Sequence, residues 1–135
     1  MRMQERPSDV RSSQAADISL WVCQALLVLV FLAAGSAKLL GAEAMVEAFD
    51  DIGAGQWLRY FTGVAEVAGV LGLLVPRLAG LAALGLTGLM IGAVITNVIT
   101  DAFSILAVVL LLLSATVAWG RRERTRALLR PVTVG

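Results

Sequence analysis

Two charged residues stand inside otherwise apolar sequence: Lys38 in FLAAGSAKLLG and Glu66 in FTGVAEVAGVLGLL. An ionised acid in hydrocarbon costs several kcal/mol unless it is paired, hydrated or protonated. Such a residue marks a functional candidate facing the interior of a helix bundle. Few partners are within reach. Lys38 has a long stem, Arg59 and Tyr60 lie seven and six residues before Glu66, and Asn97 shares one helical face with Met90 and Ala93. Together Lys38, Glu66, Asn97 and Arg59 are candidates for a polar cluster that could hold a small ligand, pass a proton or hydrogen-bond a quinone headgroup. A plainer reading carries equal weight. The pair would set helix register and touch no substrate, since buried ion pairs add little net stability but can specify packing.

The remaining residues exclude much chemistry. There is no histidine, which removes the commonest metal ligand and the usual base near neutral pH. Cys23 is the only cysteine, so no internal disulfide or CxxC pair can form, and it reads as a small apolar residue. No metal site and no cofactor motif is expected. The net charge of +1 gives no basic field for nucleic acid.

The solvent decides what Glu66 means. Of the 135 residues 59% are hydrophobic and 16% charged, against about 45–50% and about 25% in soluble domains. The mean hydropathy is +0.85. Charges gather at the two ends of the chain. A membrane helix needs about 20 largely apolar residues, and four stretches qualify: Ile18 to Leu40, Trp57 to Val75, Leu78 to Val98 and Ala102 to Trp119. Pro76-Arg77 and Thr100-Asp101 break the later ones, and such short turns imply antiparallel neighbours. Trp21, Trp57 and Trp119 fall at span ends, where interfacial rings sit. Glu66 is then the midpoint of the second span, roughly 13 Å from either end.

An even number of spans puts both termini on one side. That side carries Arg2, Arg6, Arg11, Arg77 and the five tail arginines, and the other carries Glu43, Glu47, Asp50, Asp51 and Asp101, with Arg59 near the interface. The positive-inside rule places both termini in the cytoplasm of a cell-membrane protein. AAGSA after the first apolar run faintly resembles a signal cleavage site, but cleavage would put the arginine-rich tail outside. The polar segment 1–17 is expected to be disordered. The tail 120–135 could extend the last span as a cytoplasmic helix as far as Arg130. Its arginines could meet anionic headgroups, although orientation alone explains them.

The expected fold is all-α, an integral membrane four-helix bundle over 18–119. A short amphipathic helix, EAMVEAFDDI, lies at the interface between helices 1 and 2 as a connector, or as a lid or docking surface. Membrane helices pack through small residues. Gly85, Gly88 and Gly92 form a stripe on the third span, and Gly69 and Gly72 lie on the second. Tight contact between these two spans is expected, with the leucine-rich fourth span facing lipid.

Ala34-Gly35-xx-Lys38 in the first span, Gly63-xx-Glu66-xx-Gly69-xx-Gly72 in the second, Pro76 after it and Met90-xx-Ala93 in the third resemble the DoxX-like family of small membrane proteins over about residues 18 to 119. The family takes its name from a subunit associated with a membrane thiosulfate:quinone oxidoreductase, and some relatives are linked to oxidative-stress complexes. The resemblance implies that Lys38 and Glu66 are the family's intramembrane polar positions. Gly35 and Gly63, on the same two spans, are further candidates for close helix packing. Many relatives have a histidine late in the third span, where this chain has Asn97. Asn97 can neither shuttle protons nor ligate haem as histidine would. The leading expectation is an accessory or small-ligand-binding subunit without independent catalysis. Its partners would be the lipid bilayer and other membrane or redox-complex subunits, with a homo-oligomer also open. The rivals are a quinone-linked oxidoreductase subunit, quinone being the one cofactor left open, and a small transporter acting as an oligomer. No inverted repeat or broken helix supports the last.

Overall fold

The three prolines, Pro7, Pro76 and Pro131, all stand outside the apolar runs, so each run can helix without interruption. The computed structural model describes residues 7–102 and 104–130. It contains α1 (Pro7–Leu39), α2 (Glu43–Ile52), α3 (Trp57–Leu74), α4 (Ala79–Ile99), α5 (Ile105–Gly120) and α6 (Arg122–Leu129), and no strand among the described residues. This is the expected all-α architecture.

Two boundaries differ from the sequence expectation. α1 runs 33 residues and starts at Pro7, so 7–17 is helical rather than disordered. Proline at the first helical position costs no hydrogen bond, and SSQAAD brings no further breaker. Residues 1–6, also expected to be disordered, lie outside the described residues, as do Phe103 and 131–135. The second difference is the last span. α5 has 16 residues, about 24 Å, which is short of a hydrocarbon core of about 30 Å. Among the described residues three helices are long and apolar enough to cross a membrane: Ser13–Leu39, Trp57–Leu74 and Ala79–Ile99. A fourth span needs α5 and α6 together across a bend of 61°. The tail is therefore a separate helix set at an angle, and Arg130 is extended before Pro131.

The long helices pack in the order α1–α3–α4–α5, with α5 closing back on α1. Leu27 and Phe31 of α1, Val70 and Leu73 of α3, Ala83, Leu86 and Met90 of α4, and Leu110 and Val117 of α5 form one core. α5 makes its most extensive contact with α4 and buries Leu110, Ser114 and Val117 there. Its other face leaves Ile105, Leu106, Val109 and Leu112 exposed. Trp57 and Trp119 are exposed at helix ends as expected, whereas Trp21, also exposed, lies in the middle of α1 because that helix begins at Pro7 rather than Ile18.

α2 is amphipathic as read. Phe49 is buried, Met45 and Val46 are half-buried, and Glu43, Glu47 and Asp50 are exposed. Gly53 ends it in the left-handed region, φ 76°, with its N–H donating to Asp50 O. Glycine adopts that conformation without strain.

The small-residue seam lies elsewhere than expected. Gly69 and Gly72 of α3 do carry the α3–α4 contact: a Cβ on Gly69 would lie 2.6 Å from Leu86 Cδ2, and one on Gly72 2.7 Å from Ala82 Cβ. Gly85, Gly88 and Gly92 of α4 are exposed, with nothing within 4 Å of a Cβ built on any of them. No helix among the described residues packs closely against them. α4 turns its alanine, leucine and methionine face inward and its glycine face outward.

Candidate functional site

The α1–α3 seam brings the two intramembrane charges together, and two glycines make it close enough to do so. A Cβ on Gly35 would lie 3.0 Å from Val67 Cγ2, 3.2 Å from Gly63 O and 3.3 Å from Glu66 Cβ. A Cβ on Gly63 would meet Leu39 Cγ at 3.0 Å and Lys38 Cβ at 3.1 Å. Each glycine thus lies against the other helix's charged residue, and each precedes its own helix's charged residue by three positions. Antiparallel helices with matching G-xx-charge patterns produce this reciprocal arrangement.

Lys38 Nζ donates to Glu66 Oε1 at 3.0 Å and to Glu66 Oε2 at 3.1 Å. The side chains are 14% and 4% exposed, so the carboxylate is the more enclosed partner. Both carboxylate oxygens are satisfied. An ammonium has three donors, so two bonds leave one for another acceptor.

Arg59 is buried and joins the cluster from the main-chain side. Its Nε donates to Gln56 Oε1 at 2.6 Å and its Nη1 to Lys38 O. Lys38 O is among the last carbonyls of α1, which have no partner within the helix. A guanidinium there satisfies an orphan acceptor and opposes the negative end of the helix dipole. The same guanidinium lies 4.2 Å from the Tyr60 ring centroid. Gln56 in turn donates to Val46 O at 3.0 Å and to Asp50 Oδ1 at 2.6 Å. A continuous polar chain, Asp50–Gln56–Arg59–Lys38–Glu66, therefore runs from exposed α2 to the interior of the α1–α3 seam.

Of the four sequence candidates the structure joins Lys38, Glu66 and Arg59. Asn97 is half-buried on α4 and makes no side-chain hydrogen bond among the described residues. The reason is helix order. The pair lies between α1 and α3, whereas α4 packs on α3 and α5. Gln56 escaped the sequence reading because it sits in a loop between helices, where a glutamine carries no signal.

A second buried polar cluster, at the end of the bundle holding both described chain ends, was also missed. Arg121 Nε donates to Gln24 Oε1 at 2.8 Å, and Arg121 Nη1 donates to Asp17 Oδ1 at 2.6 Å. Gln24 Nε2 donates to Leu73 O at 3.3 Å. Gln24 and Arg121 are both buried. Gln24 had a signal, an amide inside the apolar run WVCQALL. No group of three or more potential metal ligands occurs among the described residues.

Removing the Arg59 guanidinium tests the polar chain. Arg59→Met leaves Lys38 O and Gln56 Oε1 without donors, and destabilisation of about 1–3 kcal/mol is expected. Thermal unfolding in detergent reads it, and a change within error of zero would remove Arg59 from the network.

A family model described as the DoxX-like family matches residues 22–132. No curated protein matches the chain. No solved structure matches it either.

Proposed function

Since the chain belongs to the DoxX-like family, we propose that it is an accessory subunit of a membrane complex, with no catalysis of its own. The observation that carries this reading is the self-contained pair: both Glu66 oxygens accept from Lys38. One groove lies between α3 and α4 and another between α4 and the α5–α6 bend, and neither of these is lined by Lys38 or Glu66. A charged pair closed on itself fixes α1 against α3 and leaves the exposed faces to meet partners. The termini face the cytoplasm on this reading. Arg124 Nη1 donates to Pro76 O at 3.0 Å, which supports a single end shared by the tail arginines and the Arg77 turn. The acidic residues of α2 gather at the opposite end.

One observation favours a second reading. Lys38 keeps a third N–H and is the less enclosed partner. A quinone carbonyl could accept from it, which would make the chain a quinone-binding subunit.

Native mass spectrometry of gently solubilised protein separates the two. Wild type and the Lys38→Met/Glu66→Gln double variant are compared, because the double variant leaves no unpaired charge. The accessory reading expects stoichiometric protein partners with wild type and no quinone. Quinone held by wild type and lost in the double variant would replace it with the second reading. Turnover of a quinone by the isolated chain would refute the absence of catalysis.

A further inference from the structure

The bend at Arg121 creates a second feature, distinct from the ion pair. α6 folds back over the start of α4, where Gly80 lets it approach closely. A Cβ on Gly80 would collide with Thr125 Oγ1 and lie 2.6 Å from Arg121 O. Between α4 and the α5–α6 bend lies a groove of about 400 Å³. Its walls change character along its length. At the α6 end stand Arg122, Thr125 and Arg126, and towards the middle of the bundle stand Leu84, Ala115 and Ala118.

The polar end has unused capacity. Thr125 Oγ1 is buried and has no hydrogen-bond partner among the described residues. A buried polar atom without a partner costs free energy, so an acceptor or donor at this place is favoured. Arg122 Nη1 donates to Trp119 O at 2.9 Å, and its guanidinium lies 4.4 Å from the Trp119 ring centroid. Trp119 thereby holds the arginine at the mouth of the groove. Arg126 bonds Glu123 Oε1 at 3.0 Å, but both side chains are exposed, and such a surface pair holds weakly.

We propose that this groove binds one anionic phospholipid, with the phosphate between Arg122, Arg126 and Thr125 and an acyl chain along Leu84, Ala115 and Ala118. Charge complementarity selects the headgroup. The apolar limb selects a lipid over a free phosphate, which would fill only the basic end. The depth is right for this occupant: Gly80 and Leu84 are one helical turn apart, about 6 Å, so the groove descends from the arginines into apolar surface within one or two turns. Basic pockets between membrane helices recognise anionic headgroups through the same combination.

Native mass spectrometry of the full chain in detergent, with phosphatidylglycerol or phosphatidylcholine of identical acyl chains added, tests the site. Wild type is expected to retain phosphatidylglycerol preferentially. Arg122→Gln and Arg126→Gln should each weaken that retention about five-fold. Arg130→Gln, an exposed charge outside the groove, should change it far less. Leu84→Trp fills the apolar limb with every charge in place and should also weaken binding. Equal retention of the two lipids by wild type overturns the proposal and needs no variant. Equal losses in Arg130→Gln and Arg122→Gln, unchanged binding in Leu84→Trp, or displacement of the lipid by millimolar inorganic phosphate would each overturn it as well.

Discussion

Glu66→Gln is expected to destabilise the protein by about 3 kcal/mol, and adding Lys38→Met should restore most of the loss. The first change keeps the volume of the side chain and one acceptor oxygen but removes the charge that faces Lys38 at 3.0 and 3.1 Å. What remains is an ammonium in the α1–α3 seam with no counter-charge. Breaking a buried pair from one side costs about 3–5 kcal/mol. The lower end applies because glutamine still accepts one hydrogen bond. Lys38 also lies one residue from the end of α1, so its stem can carry the charge toward the interface. The double variant has no charge to strand, and replacing both partners of a buried pair with uncharged groups is often neutral. Reversible unfolding in mixed micelles, run on wild type, the single variant and the double variant, measures both steps. A single variant within about 0.5 kcal/mol of wild type would mean that the pair does not hold the seam. A double variant as unstable as the single one would place the loss somewhere other than the stranded ammonium.

This pair was legible in the sequence because its signal is strong: a carboxylate in the middle of an apolar run has few stable alternatives to a partner. The topology then left Lys38 as the cation that α1 could offer. Arg59 was legible only in part. Its position at the end of α3 was clear, but its bond to Lys38 O depends on where α1 ends, and that end depends on Gly41, at φ 71°. Gln56 and the Arg121–Gln24–Asp17 cluster were not legible as sites. Arg121 reads as one of five tail arginines, and orientation accounts for all five equally. Only the 61° bend singles it out, by turning α6 aside and drawing Arg121 under the bundle end beside Gln24. Asn97 shows the opposite error. Its depth and face suit the cluster, and the short turns place α4 beside α3 and α5, but nothing in a single sequence states whether α4 also reaches the α1–α3 seam.

Glycine spacing misleads for a related reason, and a pair of substitutions measures how far. Gly69→Val is expected to destabilise by about 1–3 kcal/mol, whereas Gly88→Val should leave the isolated chain within about 0.5 kcal/mol of wild type. On Gly69 the first added carbon would lie 2.6, 2.7 and 3.0 Å from the three outer carbons of Leu86, which is itself buried in the core. Leu86 cannot step aside without disturbing Met90 and Val70, so α3 and α4 must separate. On Gly88 the added carbon meets nothing within 4 Å. Valine has a slightly higher helix propensity than glycine, so no backbone penalty obscures the comparison. The sequence shows the same kind of small-residue spacing on both helices, but a helix interface needs small residues on one side only if the other side supplies bulk. Here α3 supplies the glycines and α4 supplies Leu86 and Ala82, and Gly85, Gly88 and Gly92 of α4 are left on the outer face. Unfolding of both variants in detergent separates the two cases. If Gly88→Val proves as damaging as Gly69→Val, the outward glycine face is packed in the working protein, and a second chain against α4 becomes the simplest source of that packing.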